Sequence, residues 1–251
     1  MKLIAEGLCG RGLVRKENQD HIFVNGKLRG QSSELYCCSD VTKDGIYAVC
    51  DGMGGGQWGE EAARIVAAGL KDVKRGEKSV ETYLFEANNR ICQLIQERDH
   101  ASIGTTAVIL VVSDGIGKIY NIGDSRAYLY HNGVLRQVSY DHNQAQQMVD
   151  MGIITKEQAR NHPGCHRLTQ HLGIPQEEFV ISPFTSDDFK ICQGEIVLLC
   201  SDGLTELLSD WEICSYLKKS DSIKNKADEL WKAAMYRGGK DNISLILIEC
   251  A

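Results

Sequence analysis

Two eight-residue runs, TTAVILVV at 105–112 and NISLILIE at 242–249, set the first limit on the fold. Their central stretches, AVILVV at 107–112 and LILI at 245–248, are apolar throughout, so a strand built from either has little face to show to water and should lie in a sheet covered on both sides. Further strand-like stretches fall at 20–25, 34–38, 46–50, 117–123, 127–133 and 195–200. Those from 105 to 138 are joined by tight turns and read as an antiparallel meander. Helical spacing appears in 59–73, where Ala62, Ile65, Val66, Leu70 and Val73 form a stripe, and in 80–98 with Leu84, Ala87, Ile91, Leu94 and Ile95. Thr155 with Gln158, and Ser209 with Glu212, have capping-box spacing and predict two later helix starts. A last helix is predicted over 222–237, stopping at Gly238 and Gly239. Blocks of strands with helix pairs between them point to α+β layers rather than a doubly wound sheet.

The stretch YAVCDGMGGGQWGEEAA, 47–63, runs a strand into an acid, a glycine-rich turn and a helix. It does not read as a phosphate cradle, since a P-loop needs G-x-x-x-x-G-K-[ST] and a dinucleotide turn needs G-x-G-x-x-G opening directly into the helix. Asp51 would repel a phosphate there unless a cation sat between them. Comparable acids recur at the ends of apolar runs: Asp20, Asp124, Asp202 and Asp241. Each alone is an ordinary turn residue. Together, if one sheet edge gathers them, they require a cation, and carboxylates without thiolate or imidazole partners select a hard ion such as Mg²⁺ or Mn²⁺. A two-metal site with Asp51 as bridge follows, in which a shared water becomes acidic enough to act as nucleophile near neutral pH. The glycines after Asp51 leave room for the Gly52 carbonyl to coordinate.

With 251 residues, 43% of them hydrophobic and 25% charged, the chain fits one globular domain, 1–251. The net charge is −6 with the two signs interspersed, which argues against nucleic-acid and anionic-membrane partners. No apolar run approaches transmembrane length, and the opening MKLIAEGLCGRG is broken by Glu6 and Gly7, too early for a signal-peptide core; a cytoplasmic location is expected. Ten dispersed cysteines without a C-x-x-C pair fit a reducing compartment, with Cys50, Cys192 and Cys200 expected to pack as buried hydrophobes in or beside strands. His162, Cys165 and His166 lie close in sequence, but their spacing matches no common zinc site.

In order and spacing, the segments GLVRKENQD, AVCDGMGGGQWGEEAA, GTTAV, YNIGDSRAYLY, DHN, NHP…LTQHLG, LLCSDGL and GGKDNIS resemble the metal-dependent protein phosphatases (PPM, type 2C serine/threonine phosphatases), and the compact bacterial branch most. The resemblance implies a four-layer αββα sandwich, two antiparallel sheets flanked by helix pairs, with a flap over about 141–186. It implies a pair of Mn²⁺ or Mg²⁺ ions held by Asp20, Asp51, the Gly52 carbonyl, Asp202 and Asp241, and a third, weaker position at Asp124 with Asp202. Arg15 matches the arginine that holds the phosphate, and a guanidinium fork suits two phosphate oxygens. The implied reaction is direct attack by a metal-bridging hydroxide on phosphoserine or phosphothreonine, without a phosphoenzyme. The expected partners are phosphoproteins and an opposing kinase, and the chain is expected to be a monomer. Three positions depart from the fuller family pattern: Gln19 stands where many members have glutamate, Met53 where animal members have a proton-donating histidine, and the pair Gln170 and His171 replaces Arg-Ala. Flap histidines 162 and 166 are expected to be structural or at the substrate rim. A non-catalytic module of the same fold should lack one of the acids, and none is missing here. A phosphatase of small metabolites would carry the same chemical site.

Overall fold

The structure, a computed structural model, describes residues 2–29, 35–54, 58–74, 76–98 and 103–251. Its strands in chain order are β1 (Leu3–Gly10), β2 (His21–Val24), β3 (Lys27–Leu28), β4 (Tyr36–Thr42), β5 (Gly45–Cys50), β6 (Gly52–Gly54), β7 (Ile103–Thr105), β8 (Ala107–Ser113), β9 (Ile116–Ile122), β10 (Arg126–His131), β11 (Val134–Gln137), β12 (Phe184–Thr185), β13 (Phe189–Lys190), β14 (Ile196–Cys200) and β15 (Ile243–Cys250). The helices are α1 (Trp58–Lys74), α2 (Val80–Glu97), α3 (Gln144–Asp150), α4 (Lys156–Ala159), α5 (Asp202–Thr205), α6 (Asp210–Leu217) and α7 (Ile223–Tyr236). One sheet runs β11-β10-β14-β15-β1-β4, and the other runs β12-β9-β8-β5-β2-β3 with β13 beside β9; every pairing is antiparallel. None of the described helices is long and apolar enough to cross a membrane.

Strand alternation explains the all-apolar runs. In β5, Tyr47 and Val49 enter the core between the sheets, while Ile46, Ala48 and Cys50 pack under α1 and α2. In β15, Ile246 and Ile248 face the same central core, and Ile243, Leu245 and Leu247 lie under α6 and α7. The result is the expected αββα sandwich. Both predicted capping boxes form, at Thr155 and Ser209, and the last helix gives way to Gly238 and Gly239 at positive φ.

Several expectations are corrected. The stretch 105–138 is not one meander. β8 and β9 pair in one sheet, β10 and β11 in the other, and the chain changes sheet at Gly123, whose φ of 99° suits glycine. The run 105–112 is interrupted at Thr106, which separates β7 from β8. β1 was hidden by Glu6 and Gly7. The Gly7 site has no room for a side chain against Val24 and Ile22, and Glu6 accepts a hydrogen bond from Ser39 at 2.7 Å. The strand expected at 34–38 runs over Tyr36–Thr42; Glu34, and Gly55 and Gly56 of the glycine-rich turn, lie outside the described residues. All ten cysteines are free; Cys50 and Cys200 are buried as expected, but Cys192 is exposed in a loop.

Candidate metal centre

Strand register brings the acids together. β2 pairs with β5 so that His21 lies opposite Cys50, which sets Asp20 beside Asp51 at the ends of that ladder. In the other sheet Cys200 stands opposite both Arg126 and Leu245, so the residues just beyond these strands, Asp202, Asp124 and Asp241, collect at the same end. Asp20 joins the two sheets: its Oδ2 accepts hydrogen bonds from Ser201 Oγ at 3.0 Å and Ser244 Oγ at 2.7 Å, both from the opposite sheet. A cavity of about 860 Å³ opens here, lined among others by Arg15, Asp51, Gly52, Asp124, Asp202 and Asp241. Asp20 lies beneath it, fully buried.

The backbone around the site is tightly tied. Asp51 N donates to Thr106 Oγ1 at 3.1 Å, while Thr106 N and Thr105 Oγ1 each donate to the Asp51 carbonyl at 2.9 Å. The Thr106 hydroxyl also bonds Ser125 Oγ at 2.7 Å, next to Asp124. A Cβ on Gly52 would fall 2.2 Å from the Gly59 carbonyl oxygen and 2.5 Å from that of Gln19, so only glycine lets these three segments meet. Asn242 plays a part the sequence did not reveal. Its Nδ2 donates to the carbonyls of Arg11 (3.0 Å) and Glu17 (2.9 Å) and its Oδ1 accepts from Gln19 N (2.8 Å), which locks the loop carrying Arg15 onto the residue after Asp241. Arg15 Nη2 lies 2.5 Å from Asp241 Oδ2 at the mouth of the cavity.

The carboxylates raise one another's energy. Burial, with Asp202 and Asp241 nearby, pushes Asp20 up to about 7 despite its two serine donors. Burial together with Asp20 and Asp202 holds Asp51 well above the ordinary carboxylate range, and burial with Asp202 does the same to Asp124. Asp202 is raised by burial and by Asp241. Two oxygens, Asp20 Oδ1 and Asp202 Oδ1, are buried with no hydrogen-bond partner among the described residues. Orphaned acceptors among clustered carboxylates fit a hard divalent cation, which supplies the positive charge that these groups lack.

The departures also have places. Met53 lies opposite Gly104 in the short β6–β7 ladder and lines the cavity. Gln170 accepts from Ser182 N at 2.7 Å, and His171 Nδ1 lies 3.0 Å from the Leu172 carbonyl while its ring lines the cavity. His162 caps its own turn, Nδ1 accepting from Gly164 N at 3.0 Å. His166 does not share a ligand set with His162 or Cys165. It meets Glu206 instead, Nδ1 to Oε1 at 2.8 Å, and with Asp202 these form a group whose ligand atoms lie within 4.8 Å of one another. No signal in the sequence links a residue of the turn Pro163–His166 to one just past α5.

The sequence model of a family described as protein phosphatase 2C matches residues 30–246. The serine/threonine phosphatase stp of Listeria innocua is 32% identical over 261 residues, covering 98% of this chain and 95% of that protein. Among solved structures, the Mycobacterium tuberculosis serine/threonine phosphatase PstP/Ppp superposes with a TM-score of 0.83 at 27% identity, covering 100% of this chain and 99% of that one. The catalytic domain of PstP in complex with two manganese ions gives 0.78 at 26% identity, covering 99% of each chain.

Proposed function

The chain belongs to the protein phosphatase 2C family, and from that premise we propose that it hydrolyses phosphoserine and phosphothreonine monoesters with a pair of divalent cations held by Asp20, Asp51, the Gly52 carbonyl, Asp202 and Asp241. It is a serine/threonine protein phosphatase whose cofactor is Mn²⁺ or Mg²⁺. The observation that carries the metal reading is the convergence of distant aspartates on one cavity, with two of their oxygens buried and unpartnered.

When bound, the cations supply a water acidic enough to attack phosphorus at neutral pH and offset charge on the phosphoryl oxygens. Asp51, fixed through its backbone to Thr105 and Thr106, holds its carboxylate at the centre of the set. Arg15, at the cavity mouth, offers a guanidinium fork to the phosphate and brings positive charge to an acidic cleft. Asn242 keeps that arginine's loop in register with Asp241. Met53 carries no ionisable proton, so the departing alkoxide must take its proton from water or from another group that lines the cavity. Asp124, facing the same cavity, is the candidate for a weaker third position with Asp202. We read residues 141–186 as a flap within a single domain of 1–251, and the protein as a cytoplasmic monomer that opposes a serine/threonine kinase.

The test is hydrolysis of a phosphothreonine peptide with Mn²⁺, with and without EDTA, for the wild type and Asp202→Asn. Activity should require the metal and fall by orders of magnitude in the variant. EDTA-insensitive, equal rates would refute the catalyst, and a clear preference for a sugar phosphate in competition would move the substrate class to metabolites.

A further inference from the structure

Hydrolysis of a serine or threonine phosphate releases an alkoxide, which needs a proton to depart, and Met53 has none to give. Of the side chains that line the main cavity, the imidazoles of His166 and His171 are the ones that ordinarily exchange a proton near neutral pH. His166 is an exposed partner of Glu206, Nδ1 to Oε1 at 2.8 Å. His171 is half-buried and differently placed. Its Nδ1 lies 3.0 Å from the Leu172 carbonyl, which can only accept, so Nδ1 carries a hydrogen and Nε2 is the nitrogen left to gain or lose one. Among the described residues Nε2 has no hydrogen-bond partner. The ring is also held in position. Leu172 exchanges two backbone hydrogen bonds with Thr105, at 2.9 and 3.0 Å. A Cβ on Gly104 would fall 2.7 Å from His171 Nδ1 and 3.0 Å from its Cε1, so bare backbone is what makes room for the imidazole. Gly104 stands opposite Met53, and Thr105 opposite Gly52, in the β6–β7 ladder. Thr105 Oγ1 in turn donates to the Asp51 carbonyl at 2.9 Å. Two neighbouring rungs therefore tie this imidazole to the chain that leaves Asp51, beside the thioether of Met53.

We propose that His171 is the general acid of the hydrolysis, its Nε2–H protonating the ester oxygen as the bond from phosphorus to that oxygen breaks. The inference rests on the phosphatase reading and deepens it. The attacking water bonds to phosphorus and releases a proton to solvent. The electron pair of the breaking bond stays on the serine or threonine oxygen, which takes the proton from Nε2 and leaves as the neutral alcohol. The ring, now neutral, regains a proton from water before the next turnover. Burial favours the neutral ring, and the Leu172 carbonyl, which accepts from Nδ1, offsets part of that. A dianionic ester in the cavity adds the negative charge that favours the imidazolium, so the acid is charged when there is substrate to protonate.

The experiment compares two leaving groups in the full chain with Mn²⁺: a phosphothreonine peptide, whose alkoxide needs a proton, and p-nitrophenyl phosphate, whose phenolate departs without one. His171→Ala places a smaller side chain against Gly104 and should fold. Its kcat on the peptide should fall about 100-fold or more, while kcat on p-nitrophenyl phosphate stays at the wild-type value. His171→Gln, which keeps a neutral N–H but has no proton to transfer, should fail on the peptide in the same way. A second readout needs no turnover. In the metal-stripped chain the nitrogen shifts of the neutral His171 ring, assigned by NMR from their loss in His171→Ala, should be those of the Nδ1–H tautomer. Equal losses on both substrates, an undiminished rate on the peptide, or a neutral ring with its hydrogen on Nε2 would each overturn the inference. A wild type that turns over neither substrate would sink the phosphatase reading itself and the role of His171 with it, a result distinct from the other three.

Discussion

Asp20 shows most directly what the site costs the protein without its ions. Burial lifts its carboxyl from the usual 3.8 to about 7, so the metal-free folded chain holds a proton there that the unfolded chain releases. Its contribution to stability is therefore complete below about pH 4 and is lost as the pH rises to about 7, a change of roughly 4 kcal/mol at most. Asparagine keeps an acceptor for Ser201 and Ser244 but has nothing to ionise. In EDTA, Asp20→Asn should match the wild type near pH 4 and become the more stable chain by pH 7.5; thermal melts that stay parallel across this range would contradict the burial argument. Arg15 makes a different prediction. As the proposed phosphate anchor it would meet phosphate in the ground and transition states alike, so Arg15→Ala should lower kcat/KM about 10- to 100-fold, chiefly through KM, and Arg15→Lys should recover only part because it loses the fork. A variant whose KM is unchanged would remove Arg15 from the phosphate site. The aspartates were legible in the sequence because each ends an apolar run, and strand ends are what a sheet edge collects. The His166–Glu206 contact was not, since it depends on how an irregular segment folds back over α5, and no periodicity encodes that.

Elements were read well where a side-chain period or a cap fixed them. α1, α2 and α7 lie within a residue or so of their predicted spans because their stripes and end signals agree. The reading failed where the cue was only a tight turn. A turn says that the chain reverses, not that both arms stay in one sheet, and the crossing at Gly123 from β9 to β10 looks locally like any hairpin. That crossing is also what carries Asp124 from one sheet to the other at the metal end. Close approach between elements is likewise invisible until the fold is assembled. A Cβ on Gly203 would sit 1.9 Å from the Asn242 carbonyl oxygen, so the start of α5 touches the entry to β15 through bare backbone. Backbone oxygen cannot swing aside as a side chain can. Gly203→Ala should therefore push Asp202 away from Asp241 and destabilise the chain by about 1–3 kcal/mol. Mn²⁺ affinity by calorimetric titration should fall about tenfold or more while the far-UV circular dichroism stays native. Unchanged affinity would mean that the contact does not set the spacing of the ligands.

Across the whole molecule, the two sheets meet through an apolar core along their length and through carboxylates at one end. Asp20 and Asp51 come from the sheet under α1 and α2, Asp202 and Asp241 from the sheet under α6 and α7. On the proposed ligand set, a cation shared among them would fasten one sheet to the other where the apolar core gives out. The unfolded chain scatters these residues over more than 200 positions of sequence and presents no comparable site, so binding acts on the folded state. At a free concentration 100 times its dissociation constant, one ion adds about 2.7 kcal/mol, which for a chain of this size is a rise in Tm of roughly 5–10 °C. Mn²⁺ should therefore raise the melting temperature above that in EDTA, by more as its concentration grows. Asp241→Asn should lose most of that rise without melting lower than the wild type in EDTA, because the same change also relieves like-charge repulsion. Scanning calorimetry with and without EDTA separates the two effects. An equal Mn²⁺-dependent rise in the variant would mean that the ion binds within one sheet and does not fasten the sandwich.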